Sequence, residues 1–326
     1  MSGFNRTSLF RPGPRRGPGF FYLAAAHAYT LGRVPRLDLV TVGEAFQDLI
    51  FVGLPHQPRS GEELKTAQFT DTIGGGAVIT ATAASRLGLR TSVISGLSAD
   101  AAERLRRERV YVVNLRRNRE PHAISVAIST RHDRSFVTFN GVNDRLQPRL
   151  PAAVARQRAS HVHFAFSPEN CLRWTRIVER LRAAGQTTSW DFGWNPALRT
   201  RPGFARLVGS VDFLFVNEAE SLLYARTRRS DGAIAHWRGA ARNTVVKLGR
   251  RGSRWIAGSR DLSAPAPRVR AVDTTGAGDA FNGGFLFALL RGRPPRECLR
   301  VGNFVGARST LAAGGIAALP RRRELP

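Results

Sequence analysis

From Leu37 onward the apolar positions follow two rhythms, one of period two or continuous and one of helical period. L-D-L-V-T-V-G-E (37–44) reads as a strand closed by Gly43, and F-Q-D-L-I-F-V-G (46–53) reads as a second. Gly74, Gly75 and Gly76 then open a helix of small residues, A-V-I-T-A-T-A-A-S-R-L, which stops at Gly88 before the strand R-T-S-V-I-S-G-L. Another helix is expected over 101–109. This alternation predicts a mostly parallel sheet covered by helices.

Between 110 and 141 the rhythm changes to strand, turn, strand. V-Y-V-V-N-L, H-A-I-S-V-A-I-S-T and R-S-F-V-T-F-N-G are separated by turns at N-R-E-P and R-H-D-R, with no helix between them. They are expected to form a small antiparallel sheet inserted into the larger domain, a lid completed by the stretch 49–70. After Gln147 the alternation resumes. H-V-H-F-A-F, T-T-S-W-D-F, V-D-F-L-F-V and T-V-V-K-L-G read as strands, the last followed by the loop G-R-R-G and a hairpin partner S-R-W-I-A. Helices are expected at E-N-C-L-R-W-T-R-I-V-E-R-L-R-A-A, over 278–290 and over 297–313.

Composition bounds the rest. At 326 residues with 42% hydrophobic content, the chain can bury a full core, as one large α/β domain or a domain with a smaller lid. The two cysteines, Cys171 and Cys298, have no metal-ligand spacing and suit a reducing compartment. His161 and His163 share a strand face but lack partner ligands, so they read as strand residues rather than a metal centre. The net charge of +26 invites a polyanion partner, yet the basic residues are scattered arginines and only Lys65 and Lys247 are lysines. A solvated basic face explains this better, and no specific nucleic acid is expected.

Residues 1–37 have turn formers and charge but no periodicity, and read as a basic, disordered extension. A short run there, G-F-F-Y-L-A-A-A-H-A-Y, has the look of a weak export signal but is brief and broken. No run reaches the roughly 20 apolar residues needed to span a bilayer, so no membrane partner is expected.

The chemistry concentrates in A-V-D-T-T-G-A-G-D-A-F-N-G-G-F (271–285). D-T-T-G-A-G-D lies directly before an apolar helical segment, which places the amides of Gly276, Ala277 and Gly278 at a helix N-terminus, where backbone donors have no internal partners. Such a nest suits phosphate. Asp279 is then the odd residue: a carboxylate there is favourable to the helix by itself, but beside an anion nest its fitting role is to take a proton from an attacking hydroxyl. A G-x-x-x-x-G-K-[ST] loop is absent, which excludes a P-loop enzyme.

The segment resembles the C-terminal signature of the ribokinase-like (phosphofructokinase B type) carbohydrate kinases, and the order of motifs is similar from Leu37 to about Pro320. The resemblance implies a three-layer α/β fold, with a mostly parallel central sheet, helices on both faces and a small β-sheet lid over the acceptor. It implies a kinase domain over 38–320, lid elements at about 49–70 and 110–141, and a tail at 321–326. It further implies ATP-dependent phosphorylation of a sugar hydroxyl in the cytoplasm, with Asp279 as base and Gly276, Ala277 and Gly278 as anion hole.

Other matches follow residue by residue. V-N-E-A-E resembles the family's N-x-x-E motif, so Asn217 and Glu220 would hold a hydrated Mg²⁺; taken alone they read equally as an N-cap and a surface acid. K-L-G-R-R-G, with Lys247, Gly249 and Gly252, resembles the glycine loop beside the nucleotide. Thr275 belongs to the same nucleotide side, and Asn303 lies where relatives line the adenine pocket, with a buried helix amide as the plain alternative. On the acceptor side, Asp48 in V-G-E-A-F-Q-D matches a hydroxyl-binding aspartate, Gly74 and Gly75 match the double glycine along which the sugar passes, and Asp191 matches an acceptor-side aspartate.

Departures leave the acceptor open. Ile79 stands at an expected Asn position, Asn195 is displaced relative to Asp191, P-H-A-I (121–124) replaces a Thr-Gly pair, and Asn140 and Asn143 lie near the lid hinge. Trp190, Phe192 and Trp194 alternate, as ligand-stacking or as core residues. A nucleoside acceptor is the alternative, and a noncatalytic sugar-sensing or nucleic-acid-binding protein on the same fold is the third reading. A K⁺ ion near Asp273 and a homodimer through the lid are left open.

Overall fold

The larger of two sheets carries parallel strands in the order β5 (Val110–Asn114), β4 (Thr91–Ser95), β1 (Leu37–Gly43), β8 (Ala159–Ala165), β9 (Thr187–Asp191), β10 (Phe213–Asn217) and β11 (Thr244–Lys247). An antiparallel pair, β12 (Ser253–Ala257) and β13 (Arg260–Ala264), completes one edge. The computed structural model describes residues 36–130 and 134–326. The expected basic extension, apart from Arg36 and Leu37, and most of the R-H-D-R turn therefore lie outside the described residues, and Leu37 itself opens β1.

Helices cover both faces, and strand alternation explains why the strand segments are almost continuously apolar. Leu39, Phe213, Phe215 and Val245 point into one core with α1 (Gly76–Arg86), α8 (Ala277–Leu290) and α9 (Pro295–Ser309). Their neighbours Val40, Leu214, Val216 and Val246 point into the other, formed with α3 (Leu150–Ala155), α4 (Cys171–Ala183), α5 (Phe204–Ser210), α6 (Glu218–Tyr224) and α7 (Ser230–Ala240). A third cluster seats α1 and α2 (Ala99–Arg107) against Val93 and Val110. Among the described residues, no helix is long and apolar enough to cross a membrane.

The smaller sheet has the order β3 (Gln68–Gly74), β2 (Phe46–Leu54), β6 (Ile124–Thr130) and β7 (Arg134–Phe139). Two expectations change here. V-Y-V-V-N-L, expected in the small sheet, is β5 and pairs parallel with β4 in the large one, because α2 supplies the crossover that a parallel pair requires. The small sheet is mixed rather than antiparallel, since β2 and β6 run parallel. The expected tail, 321–326, also folds back, with Glu324 pairing with Arg308 at 3.1 Å.

The helices α1 and α8 meet through small residues. A Cβ on Gly283 would lie 2.6 Å from the Ala83 Cβ and 2.8 Å from the Thr80 carbonyl oxygen. Alanine favours a helix interior over glycine by about 0.8–1 kcal/mol, whereas overpacking costs about 1–3 kcal/mol. Gly283→Ala is therefore expected to lower the urea midpoint with an unchanged m-value; an equal or higher midpoint would show that the two helices can move apart at no cost.

Candidate active site

The C-terminal edge of the parallel strands faces the N-termini of α1 and α8, the place where open α/β sheets bind ligands. Asp191, Asn217 and Lys247 are the last residues of β9, β10 and β11, and Asn217 stands in register with Lys247. Gly276 precedes α8 at φ +70°, a conformation suited to glycine. A side chain there would also collide with Ile79, whose Cδ1 lies 2.4 Å from the Cβ position. Ile79 thus packs beneath the turn and, having no polar atom, supplies no hydrogen bond to an acceptor.

Within this turn the Ala277 amide makes a long bond of 3.3 Å to the Thr274 carbonyl. The Gly276 and Gly278 amides have no acceptor among the described residues. Lys247 sits against them: its Nζ is 3.0 Å from where a Gly278 Cβ would stand. Backbone donors, a helix N-terminus and an ammonium group therefore converge on one turn.

Asp279 follows as the third residue of α8. Its carboxylate reaches toward the α1 N-terminus, where a Cβ on Gly76 would lie 2.9 Å from Oδ1. The Thr80 hydroxyl donates to the Asp279 carbonyl at 3.0 Å, pinning the two helices together. Burial raises the Asp279 pKa to about 7; the Asp191 and Glu220 carboxylates push the same way, and Lys247 opposes them.

Asp48 faces the same glycine run from β2. A Cβ on Gly74 would fall 1.8 Å from its Oδ2, so the carboxyl occupies space that only glycine leaves. Gly75, at φ +100°, passes close to the Glu44 carbonyl, whose oxygen is 2.3 Å from where a Gly75 Cβ would stand. Burial, and secondarily the Asp273 carboxylate, raise the Asp48 pKa to about 7. The glycines at 74–76 thus run between two carboxyl groups, both poised to exchange a proton near neutral pH.

Asp191, expected among acceptor-binding residues, is engaged by two neighbouring side chains. Its Oδ2 accepts from Lys247 Nζ at 2.6 Å and from Asn282 Nδ2 at 2.8 Å. A charge this deep in the sheet requires a partner, and Lys247 is the cation at hand. Burial is the largest single influence and works against both charges, but Lys247, Asn282 and His163 together outweigh it at Asp191, and Asp191, Glu220 and Asp279 together at Lys247, so the Asp191 pKa is lowered and the Lys247 pKa raised.

Asn217 and Glu220 form a reciprocal cap on α6: Asn217 Oδ1 accepts from the Glu220 amide and Glu220 Oε2 from the Asn217 amide, each at 2.8 Å. The N-cap reading is thus correct, but Glu220 is buried rather than a surface acid. Burial first, then Asp191, raises its pKa. Asn303 is a buried helix amide that donates to the carbonyls of Ala264 and Pro265 at 3.0 and 3.2 Å. Gly249 (φ +58°) and Gly252 (φ +99°) bound the turn after β11, and Gly252 passes so close to Ala264 that a Cβ would lie 2.0 Å from its carbonyl oxygen. Thr275 donates through both its amide and its hydroxyl to Asp273 Oδ1, at 2.9 and 2.7 Å.

The aromatic alternation at 190–194 splits. Trp190 is buried among Phe164, Phe166 and Trp174, and Phe192 among Trp190, Phe204 and Tyr224, while Trp194 is 61% exposed. His161 and His163 are buried, bridged by Ser189 Oγ at 2.7 and 2.8 Å. Among the described residues, no three His, Cys, Asp or Glu side chains are grouped to hold a metal directly.

The sequence pattern of the pfkB family carbohydrate kinases matches residues 36–322. The chain belongs to this family. As a pfkB family member it is an ATP-dependent kinase of the sugar and nucleoside type that uses Mg²⁺. Among its relatives, the ribokinase of Bacillus subtilis (strain 168) is 25% identical over 295 residues, covering 88% of this chain and 98% of that protein. A nucleoside kinase of Methanothermobacter thermautotrophicus is 29% identical over 281 residues, covering 83% and 88%. The crystal structure of adenosine kinase from Sinorhizobium meliloti superimposes with a TM-score of 0.74 at 23% identity, over 86% of this chain and 95% of that one, and shares the fold.

The sequence motifs of the family did not reveal Asn282, which holds Asp191, or Arg134, which reaches Asp273 from β7 at 3.0 Å. The buried pair makes a direct prediction. Lys247→Met, which strands the Asp191 charge, is expected to cost about 3–5 kcal/mol. Adding Asp191→Asn should recover part of that loss in urea titrations; equal midpoints for the single and double variants would show that the two charges are not coupled.

Proposed function

We propose that this kinase transfers the terminal phosphoryl group of ATP to a hydroxyl of a small sugar or sugar derivative, with Asp279 as general base. The observation that carries the reading is the placement of Asp279: its carboxylate lies against the glycine run opposite Asp48, while its own helix begins with the turn beside Lys247. Asp48 would accept hydrogen bonds from acceptor hydroxyls and so fix which one faces Asp279. Asp279 then takes that hydroxyl's proton as the oxygen becomes a nucleophile. The amides of Gly276, Ala277 and Gly278, with Lys247 beside them, hold the negative oxygens of the group in transfer. Closure of the small sheet over the cleft would exclude water, giving it the role of a lid.

The residues fit a hydrated Mg²⁺. Three carboxylates, Asp191, Glu220 and Asp279, surround the single ammonium of Lys247, leaving surplus negative charge. Glu220 uses only Oε2 in its cap, so Oε1 can face a metal-bound water, with Asn217 beside it. The absence of a three-ligand protein cluster among the described residues suits an ion that keeps waters and takes phosphate oxygens. Mg²⁺ would supply charge neutralisation at the phosphates. Asp273 needs no K⁺ for neutralisation in this arrangement, since Arg134 already pairs with it; equal rates in NaCl and KCl are expected, and a K⁺ requirement would overturn that point.

A nucleoside is the second acceptor reading. Trp190 and Phe192 no longer support it, but Phe136, 48% exposed on the sheet face that also carries Asp48, offers a flat apolar surface for a base.

The deciding experiment is ATP turnover on a panel of pentoses, hexoses, sugar acids and nucleosides with Mg²⁺, with products identified by mass. Asp279→Ala is expected to lower kcat by about 10²–10⁴-fold while ATP still binds. Equal activity in the variant would remove Asp279 from the role of base. Because a base must be ionised and burial holds Asp279 protonated up to about pH 7, kcat/KM should rise through that region and level off above it. A profile already flat from pH 5 upward would contradict the assignment.

A further inference from the structure

The small sheet does more than stand over the cleft. In register, Arg134 lies opposite Ser129, Phe136 opposite Ala127 and Thr138 opposite Ser125, while Asp48 and Ile50 pair with Ser125 and Ala127 from the other side. Arg134, Phe136 and Asp48 therefore share one face. From that face Arg134 Nη1 reaches out of the sheet to Asp273 Oδ1 at 3.0 Å and Thr275 Oγ1 at 2.8 Å, its guanidinium lying 5.6 Å from the centre of the Phe136 ring.

Asp273 gathers three separate parts of the chain. Oδ1 accepts from Arg134 and from the Thr275 amide and hydroxyl, and Oδ2 accepts from the Gly314 amide at 2.9 Å. Thr275 is the residue before Gly276, whose left-handed conformation starts α8 and its open amides. On the other side, Gly314 leads into Gly315, which abuts Ile79 just as Gly276 does. One carboxylate thus connects β7 with the turn that begins the anion nest and with the segment packed against it.

We infer that Arg134 is a positioning residue that ties the set of the 273–278 turn to the position of the small sheet, so that the nest is fully formed only when the sheet lies over the cleft. The guanidinium is suited to this because it bridges two acceptors at once, which an ammonium on a lysine stem does with less defined geometry. The charge-assisted bond to Asp273 is direct, and every further step to Gly276 is one residue of backbone. A displacement of the nest by about 1 Å is enough to cost about 10²-fold in rate.

The inference rests on the kinase reading for its kinetic consequence but not for its structural one, and the test separates them. Hydrogen exchange on the unliganded full-length protein should show faster exchange at the Thr275 and Gly314 amides in Arg134→Ala, with Val40 and Val162 in the central strands unchanged. Unchanged exchange at Thr275 and Gly314 would overturn the proposal, and so would a uniform rise that includes the central strands. In turnover assays Arg134→Ala should lower kcat by about 10–100-fold with the KM for ATP nearly constant. Added guanidinium ion should restore part of the rate, and Arg134→Lys should fall between. A variant with wild-type kcat would overturn the kinetic role, and one in which only the acceptor KM rises would assign Arg134 to acceptor binding instead. Should the wild-type protein show no acceptor-dependent turnover, the kinase reading fails while the exchange result still decides the coupling.

Discussion

The arrangement depends on how closely two helix N-termini can approach each other. The α1 and α8 backbones come together through Gly283, Gly76 and Gly276, and at each of these positions a methyl group would overlap a neighbour. That proximity sets the Asp279 carboxylate against the glycine run and the open amides of the following helix beside Lys247. Two helix dipoles then point into the same cleft, a favourable field for the anions that enter it. The large sheet provides the floor on which both helices rest, and its strand ends deliver Asp191, Asn217 and Lys247 to the same edge.

Charge is balanced there by burial rather than by number. Lys247 is held on Asp191, which Asn282 holds in turn, and this keeps an ammonium group fixed under the nest at little conformational cost on ligand binding. Burial raises the pKa values of both Glu220 and Asp279, against the opposing pull of Lys247. A site so arranged has a deficit of positive charge that a divalent ion and the helix termini would together correct. Two arginines of this region, Arg134 and Arg251, are paired with Asp273 and Glu218.

The sequence made legible those features whose causes are local. The strand closed by Gly43, the glycine opening of α1 and its stop at Gly88, and D-T-T-G-A-G-D before α8 each reflect a short-range rule of backbone or periodicity, and each stands where it was expected. Short helices such as α5 and α6, with about two turns each, offer too few positions for a helical period to show. The strand at 110–114 was misplaced because its alternation is equally good at the edge of either sheet, and only the α2 crossover decides between them. Side-chain partnerships were the least visible. Asp191 meets Lys247 across 56 residues and Asn282 across 91, and Arg134 meets Asp273 across 139. No local pattern encodes such distances, so the resemblance assigned Asp191 to the acceptor while the fold commits it to Lys247.

The two carboxyls flanking the glycine run, Asp48 and Asp279, both have pKa values near 7 in the ligand-free protein. At neutral pH each of them is therefore partly protonated. An acceptor that donates its hydroxyls to these groups favours their ionised forms, so its association should expel protons into the medium. The enthalpy of binding would then depend on the ionisation heat of the buffer, and acceptor affinity would weaken on acidification even for a ligand that carries no charge. Discrimination among neutral sugars thereby becomes a property of the pH at which they are offered as well as of the shape of the pocket.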